Sequence, residues 1–217
     1  MGSPDYACLT CDLVGSKDQP DRAKVQRRLE QELARVNKEL AAQLVVPLSV
    51  TLGDEWQGLA RSAPAAFELD FRLRRGLWPL RLRSGIGVGR ITSALRKRSA
   101  LMDGPCFHRS RAALIAAKKR HGPVTLLDSG RPGLDEFVNA NETLWHAVMD
   151  DWTQRQFECV MAYVDHDSEA EAARSLRIEQ PTLHKSVASA LGKEIMALME
   201  ARNRYLASVL GPPARRR

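Results

Sequence analysis

The sequence is poor in the features that mark secreted or membrane-spanning proteins. It has only 4 cysteines in 217 residues, and no apolar run approaches the roughly 20 residues that a membrane-spanning helix needs. The N-terminus also lacks the basic and then apolar layout of a secretion signal. These absences predict a cytoplasmic protein with no membrane partner.

The cysteines are too few and too poorly spaced for a disulfide framework or a zinc site. Two of them form a CxxC inside "YACLTCDLVG", a run that is typical of a strand. Residues i and i+3 of a strand point to opposite faces, which suits neither a shared metal nor a disulfide. No second CxxC exists to complete a zinc site. We expect buried, unpaired thiols at all four positions: Cys8, Cys11, Cys106 and Cys159.

Acidic residues are almost missing from the middle of the chain. Residues 72–120 contain 14 Lys or Arg and one acid, Asp103, whereas residues 150–217 contain ten of each sign. Such a local excess of positive charge favours polyanions or phosphate-bearing ligands. A solvated surface, or a dimer interface with the acidic N-terminal part, would show the same excess.

The residues that are present predict alternating strands and helices up to about residue 127. Apolar runs and helical spacing give the order strand, helix, strand, strand, helix, strand, helix, strand. We therefore predict an α+β fold in which helices lie on one side of a mainly antiparallel sheet, close to the ferredoxin-like pattern. The segment "DSGRPGLDEF" is the expected exit from this domain.

The chain from Trp152 onward has no convincing strand, and its spacing predicts an all-α helix-turn-helix domain. We expect helices over 153–164 and 169–176, a tight turn at 177–179, and a further helix from Gln180. The predicted divisions are an α+β domain (1–127), a connector with a linking helix (128–151), a helix-turn-helix domain (152–211) and a basic disordered tail (212–217).

Four polar residues near the start of the last predicted helix would face outward and read a DNA major groove: Gln180, Thr182, His184 and Lys185. Three features oppose DNA binding. Arg177 stands in the turn where glycine is common, Glu179 would bring a negative charge to phosphates, and the domain is electrically neutral. A helical bundle for protein contact or dimerisation is the alternative.

Two aspartates follow predicted strands, Asp12 after the first and Asp54 after the second. If these strands are neighbours, both carboxylates emerge on one rim of the sheet. Holding two such charges roughly 4 Å apart costs about 4 kcal/mol at an effective dielectric of 20. A divalent cation removes that cost, and oxygen ligands suit Mg²⁺ or Mn²⁺. Simple capping of a turn is the other interpretation of each aspartate.

Four motifs occur in the order and spacing of a known family: "CLTCDLVGSK", "VTLGDEWQG", "RSGIGVGRI" and "MDGPCFHRSRAAL". In these the chain resembles the SatD-like family of bacterial proteins, which pairs such an N-terminal region with a C-terminal helix-turn-helix. The resemblance implies a DNA-binding transcriptional regulator.

The same motifs are similar to class III nucleotide cyclase domains, which implies a cyclase-like domain with Asp12 and Asp54 as metal ligands and a nucleotide as ligand. The residues expected beside the phosphates are Leu13, Val14, Gly15, Ser16, Gly53, Glu55 and Arg83. The chain departs from the cyclases at the base-reading lysine, where it has Val50, and at the Asn and Arg that stabilise the transition state. His108 and Ala112 occupy those two positions, with Arg109 and Arg111 nearby. Each lost stabiliser typically costs about 10²-fold in rate, so we expect little or no turnover.

These observations leave three functional hypotheses. The first is a homodimeric regulator whose N-terminal domain binds a metal–nucleotide or another phosphorylated ligand. The second is a divergent metal-dependent nucleotidyl or phosphoryl transferase with Arg109, Arg111 and His108 as candidate catalytic residues. The third is a non-catalytic dimeric scaffold or protein-interaction module.

Overall fold

The computed structural model describes residues 5–15 and 21–210. Its strands are β1 (Tyr6–Leu13), β2 (Leu44–Leu52), β3 (Glu55–Ala60), β4 (Leu82–Gly89) and β5 (Val124–Asp128). Its first four helices are α1 (Arg22–Glu39), α2 (Ala63–Leu77), α3 (Pro105–Lys118) and α4 (Pro132–Asp150). The remaining helices are α5 (Gln154–Asp165), α6 (Glu169–Ser175), α7 (Gln180–Ser189) and α8 (Gly192–Leu210).

The five strands form one mixed sheet in the order β2-β3-β1-β4-β5. The central strand β1 pairs antiparallel with β3 and β4, and β2 pairs antiparallel with β3. Only β4 and β5 run parallel, because α3 carries the chain from one to the other. The elements up to β4 follow the β-α-β-β-α-β order of ferredoxin-like folds, so the predicted α+β class and element order are confirmed.

Helices cover both faces of the sheet, and the prediction that they lie on one side was wrong. Leu9 and Cys11 of β1 point into a core that includes residues of α1 and α2. Thr10 lies between them in sequence and faces the other way, where its Oγ1 is 2.6 Å from Oγ of Ser110 in α3. This alternation is the ordinary pleat of a strand that is buried on both faces.

Close approach between α3 and β4 depends on glycine. A Cβ at Gly85 would lie 2.3 Å from the backbone nitrogen of Leu114, and one at Gly87 would lie 2.1 Å from that of Ser110. Any side chain at these positions would push α3 off the sheet. The glycines of the "GIGVG" run therefore allow α3 to pack directly against β4.

A buried ion pair in α2 anchors this helix to the face of the sheet opposite α3. Arg74 donates from Nε to Oδ2 of Asp70 (2.7 Å), and both side chains are almost fully buried. Ser84 of β4 and Thr125 of β5 donate their hydroxyls to the same carboxylate, at 2.5 and 2.6 Å. Arg74 Nη1 also donates to the carbonyl oxygen of Leu82 (2.8 Å). The hydrogen bonds compensate for the cost of burying the two charges.

The cysteines are free and buried, as the sequence predicts. Burial raises the pKa of the Cys8 thiol to about 12 and that of Cys106 to about 11. These thiols stay protonated at neutral pH and are poor nucleophiles.

The chain divides into two compact units. One consists of Met1–Thr143 with Asn203–Arg217, and the other of Leu144–Arg202. The first boundary lies inside α4 and the second inside α8, so both long helices contribute residues to each unit. The second unit contains α5, α6 and α7, which pack on one another. Among the described residues, no helix is long and apolar enough to cross a membrane.

Candidate metal and phosphate site

Strand register brings the predicted carboxylates to one rim of the sheet. Asp12 lies directly opposite Glu55 in the β1–β3 pair, and Asp54 precedes Glu55 in the turn between β2 and β3. Gly53 permits this turn because its φ is 59°, in the left-handed region. The strands β1 and β2 are not neighbours, since β3 lies between them, but the turn that follows β2 brings Asp54 next to Glu55. We name the group formed by Asp12, Asp54 and Glu55 the carboxylate rim.

Two cations from α3 meet the carboxylate rim. Lys118 places Nζ 2.9 Å from Oδ2 of Asp12 and 3.9 Å from Oε2 of Glu55. Arg111 donates from Nη1 to the same Oε2 of Glu55 at 2.5 Å. The Glu55 side chain is only 8% exposed and that of Asp12 is 16% exposed, whereas Lys118 and Arg111 are 40% and 49% exposed. The cations therefore reach inward from solvent to carboxylates that are largely buried.

The carboxylate of Asp12 is under electrostatic strain. Burial raises its pKa most, and the nearby charges of Asp54 and Glu55 raise it further. The hydrogen bond and charge of Lys118 act in the opposite direction, and the net pKa remains above the ordinary value. Ionisation of Asp12 is therefore less favourable here than in water, although an ammonium group lies beside its carboxylate.

Lys118 is the residue of this cluster that the sequence did not reveal. It lies seven residues after Arg111, which places both on one face of α3, two turns apart. That spacing was a readable signal. Whether this face of α3 points toward the carboxylate rim depends on how α3 packs against β4, and no local sequence pattern predicts that packing.

The expected phosphate cradle after β1 has one of its donors engaged. The backbone nitrogen of Val14 donates to the carbonyl oxygen of Arg81 (2.8 Å), and Leu13 is buried opposite Leu82. Gly15 is exposed, with φ at 65°. Ser16 lies outside the described residues.

Arg83 holds the protein's own loop in this structure. It is opposite Asp12 in the β1–β4 register, but its Nε and Nη2 donate to the carbonyl oxygens of Gly122 (3.2 Å) and Arg120 (3.1 Å). The guanidinium braces the connection between α3 and β5.

Two of the three candidate catalytic residues make contacts away from the carboxylate rim. Arg109 donates from Nη1 to the carbonyl oxygens of Val88 (2.6 Å) and Ser129 (3.1 Å), so it joins the C-terminal ends of β4 and β5. His108 is exposed, with Nε2 2.8 Å from Oδ1 of Asp103. Arg111 is the third candidate, and its guanidinium lies at the rim.

The residues expected to read DNA are all exposed on α7, at positions 180, 182, 184 and 185. His184 Nδ1 lies 3.2 Å from Oε2 of Glu169, and Lys193 places Nζ 2.6 Å from Oε1 of the same carboxylate. These partners, chiefly Lys193, hold the pKa of Glu169 below its ordinary value. His184 is therefore engaged within the helical unit, whereas Lys185 has no ion pair among the described residues.

The turn between α6 and α7 has a defined C-cap. Arg177 has φ at 54°, and the backbone nitrogen of Ile178 donates to the carbonyl oxygen of Ala173 (3.0 Å). The nitrogen of Arg177 donates to the carbonyl oxygen of Arg174 (3.1 Å), which completes a Schellman motif. Arginine thus occupies the left-handed position that glycine usually fills.

Metal ligation at the rim would rest on few protein donors. Within the parts of the chain that the structure describes, no three or more His, Cys, Asp or Glu side chains are arranged to hold a metal ion. Magnesium is commonly bound through one or two carboxylates, with water and phosphate oxygens completing its shell. Asp12 and Asp54 match that smaller donor set.

The chain belongs to the SatD family, whose family model matches residues 6–204. Comparison with curated proteins gives no match.

Several solved nucleotide cyclase structures are similar to part of the chain. The adenylyl cyclase CyaB from P. aeruginosa is 16% identical, with a TM-score of 0.43 over 62% of this chain and 81% of that one. The guanylate cyclase domain of RhGC from Catenaria anguillulae, in complex with GTP, is 12% identical, with a TM-score of 0.42 over 57% and 78%. An adenylate/guanylate cyclase/hydrolase from Silicibacter pomeroyi is 17% identical, with a TM-score of 0.40 over 58% and 76%.

Proposed function

We propose that the first unit binds a divalent cation together with a phosphorylated, nucleotide-like ligand at the carboxylate rim. The observation that carries this proposal is the geometry of the rim, in which Asp12 lies opposite Glu55 and Asp54 directly precedes Glu55. Lys118 and Arg111 reach these carboxylates from α3. Burial and these adjacent carboxylates raise the pKa of Asp12 in spite of Lys118, and perturbed carboxylates of this kind are common at functional sites.

Mg²⁺ or Mn²⁺ fits the donor chemistry, with Asp12 and Asp54 as its protein ligands. When bound, the metal would neutralise the carboxylates and attract phosphate oxygens. The amine of Lys118 is 2.9 Å from Oδ2 of Asp12, so it would have to move for a metal to bind that oxygen. Its exposure and flexible stem allow it to do so.

Lys118 and Arg111 are the side chains best placed to contact the phosphates. Both reach the rim from α3, and both keep a large exposed fraction. With a metal held by Asp12, the ammonium group of Lys118 would be available to pair with a phosphate oxygen. Arg111 can remain on Glu55 with one guanidinium nitrogen and present the others to the ligand.

A metal-dependent nucleotidyl or phosphoryl transferase is the enzymatic form of this proposal. Arg111 and Lys118 would then stabilise negative charge that develops on the phosphates. Arg109 and His108, the other two candidates, contact Val88 and Asp103 in the unliganded protein, so Arg111 and Lys118 are better placed for this role. A scaffold without a ligand is the remaining alternative, and it predicts that no metal or nucleotide binds.

Calorimetric titration of Mn²⁺ and nucleoside triphosphates tests the proposal. The wild type is expected to bind Mn²⁺, and to bind nucleotide only in its presence. Asp12→Asn and Asp54→Asn are expected to lose both, whereas Asp151→Asn, an exposed aspartate of the other unit, is expected to change neither. Product analysis of the same mixtures separates turnover from binding. Absence of Mn²⁺ binding by the wild type would reject the proposal.

DNA binding through α6 and α7 is the second candidate function, favoured by the Schellman turn that joins these helices. Leu183 and Val187 are buried beneath α7, which leaves its N-terminal polar residues exposed. A homodimer would present two such helices, in keeping with a transcriptional regulator. In gel-shift experiments Lys185→Ala is expected to weaken DNA binding, whereas Lys24→Ala on α1 is expected to leave it unchanged. Equal binding by both variants would reject this use of α7.

A further inference from the structure

The connection between β4 and α3 carries a dense and unpaired positive charge. We name residues 90–103 the basic loop. Its four cations, Arg90, Arg96, Lys97 and Arg98, are all exposed. None of them makes an ion pair with an acidic side chain of the described residues. The one acid in the loop is Asp103, whose Oδ1 is 2.8 Å from Nε2 of His108.

The basic loop is anchored to the fold at several points. The nitrogen of Thr92 donates to the carbonyl oxygen of Asp103 (2.9 Å), and the nitrogen of Asp103 donates to Oγ of Ser93 (2.9 Å). Ser99 is buried and donates from Oγ to the carbonyl oxygen of Gln57 in β3 (3.4 Å). Met102 is buried in a small apolar cluster with Cys8 and Phe107. These contacts give the loop a defined inner side.

Two leucines lie on the outer side of this anchored loop. Leu95 is 59% exposed and Leu101 is 69% exposed, and they flank the run Arg96-Lys97-Arg98 in sequence. Met102, the neighbour of Leu101, is buried, so Leu101 stays exposed although the chain beside it is anchored. The loop therefore exposes both alkyl groups and cations to solvent.

We propose that the basic loop docks on the surface of an anionic phospholipid bilayer. Its cations would pair with the headgroup phosphates, and Leu95 and Leu101 would enter the boundary between headgroups and acyl chains. Each Lys or Arg near such a surface strengthens binding by about fivefold, and burial of each leucine adds to this. The proposal is separate from ligand binding at the carboxylate rim.

A bilayer explains the leucines better than a nucleic acid does. Phosphates of DNA or RNA would use the four cations but would leave exposed leucines in water. Sequence-tolerant binding of single strands relies on aromatic side chains that stack on bases, and residues 90–103 contain no aromatic residue. The mixture of alkyl and cationic groups matches the chemistry of a lipid interface.

Flotation of the full-length chain with lipid vesicles tests this proposal. The protein is expected to float with vesicles of phosphatidylcholine and phosphatidylglycerol, and to remain behind with vesicles of phosphatidylcholine alone. Added salt is expected to weaken binding because it screens the cations. The triple variant Arg96→Gln, Lys97→Gln, Arg98→Gln is expected to lose at least tenfold in partitioning, and the double variant Leu95→Ser, Leu101→Ser at least fivefold.

Matched controls separate the loop from general effects of charge and hydrophobicity. Arg22→Gln, Lys24→Gln, Arg27→Gln removes three exposed cations from α1, and Leu144→Ser removes an exposed leucine of α4. Both are expected to partition as the wild type does. Thermal unfolding of every variant checks that the fold is intact.

Two results would overturn the proposal. One is failure of the wild type to float with anionic vesicles. The other is loss of binding in the triple variant with full binding in the leucine variant, which would make the loop a purely electrostatic surface. Undiminished binding of a DNA duplex by the leucine variant would then assign that surface to nucleic acid.

Discussion

At the end of α3, the ammonium group of Lys118 lies between two carboxylates that come from different strands. It is 2.9 Å from Oδ2 of Asp12 and 3.9 Å from Oε2 of Glu55. In the unliganded protein this amine is the cation that pairs with Asp12. The same position makes it a competitor for any metal ion that binds Asp12.

Replacing Lys118 by methionine should therefore change metal and nucleotide binding in opposite directions. Lys118→Met removes the competing charge, so the Kd for Mn²⁺ alone is expected to fall about tenfold, equivalent to about 1.4 kcal/mol. Nucleotide binding in saturating Mn²⁺ is expected to weaken, because a phosphate contact is lost. Calorimetry measures both, with the exposed neighbour Lys119→Met as control. Weaker Mn²⁺ binding by Lys118→Met would contradict the competing role of the amine.

Asp54 is expected to cost stability in the absence of ligand. Its charge helps to raise the pKa of Asp12, so ionised Asp12 is less favourable in the folded protein than in the unfolded chain. That penalty is absent well below the unfolded pKa of about 3.9 and develops as pH rises through the raised folded pKa. Asp54→Asn is therefore expected to stabilise the protein at pH 7, by up to about 1 kcal/mol, with the gain shrinking toward pH 4.

Urea unfolding at several pH values measures this effect, with Asp151→Asn as the control for loss of a remote aspartate. A wild type that is more stable than Asp54→Asn at pH 7 would show that Asp54 serves the fold rather than a ligand.

At the scale of the elements, the sequence predicted the strands and helices well but the faces of the sheet poorly. Asp12 and Asp54 could be found because strand ends follow from local patterns of apolar residues and glycine. The position of α3 on the second face could not be predicted, because an apolar run such as "GIGVG" does not indicate which face of the sheet a helix covers. Its glycines at positions 85 and 87 were the signal that a backbone would approach closely.

The contact between α3 and β4 should be intolerant of even one methyl group. Gly87→Ala would place its Cβ 2.1 Å from the backbone nitrogen of Ser110, so the helix must shift. We expect a loss of about 1–3 kcal/mol in the free energy of unfolding, measured by denaturant titration. Gly133→Ala in α4 is the control, because no atom lies within 4 Å of the added Cβ. Equal stability of the two variants would contradict this packing.

The turn between α6 and α7 offers an opposite test, in which glycine should help. Arg177 has φ at 54°, a conformation that costs a residue with a side chain about 1–2 kcal/mol. Arg177→Gly is expected to raise the free energy of unfolding by about 1 kcal/mol, whereas Arg177→Ala, which keeps the strain, is expected to give no gain. A gain of the same size in both variants would assign the effect to the arginine side chain instead.

At the scale of the whole molecule, positive charge is concentrated on one stretch of the chain, and its cations lie in different surroundings. Within residues 72–120, Arg111 and Lys118 reach the carboxylate rim, and the cations of the basic loop face solvent. The sequence revealed the excess but not its division, because that depends on which side chains the packing of α3 brings to Asp12 and Glu55. The two compact units share the long helices α4 and α8, each of which contributes residues to both.

The central claim is that Asp12 and Asp54 form a metal-dependent ligand site, and thermal unfolding tests it most directly. Wild type and Asp54→Asn would be melted with Mg²⁺ or Mn²⁺, with and without each common nucleotide. A ligand present at a hundred times its Kd should add about 2.7 kcal/mol, or several degrees in Tm. We expect that rise in the wild type with metal and nucleotide together, and none in Asp54→Asn. An equal rise in both proteins, or no rise with any combination, would contradict the claim.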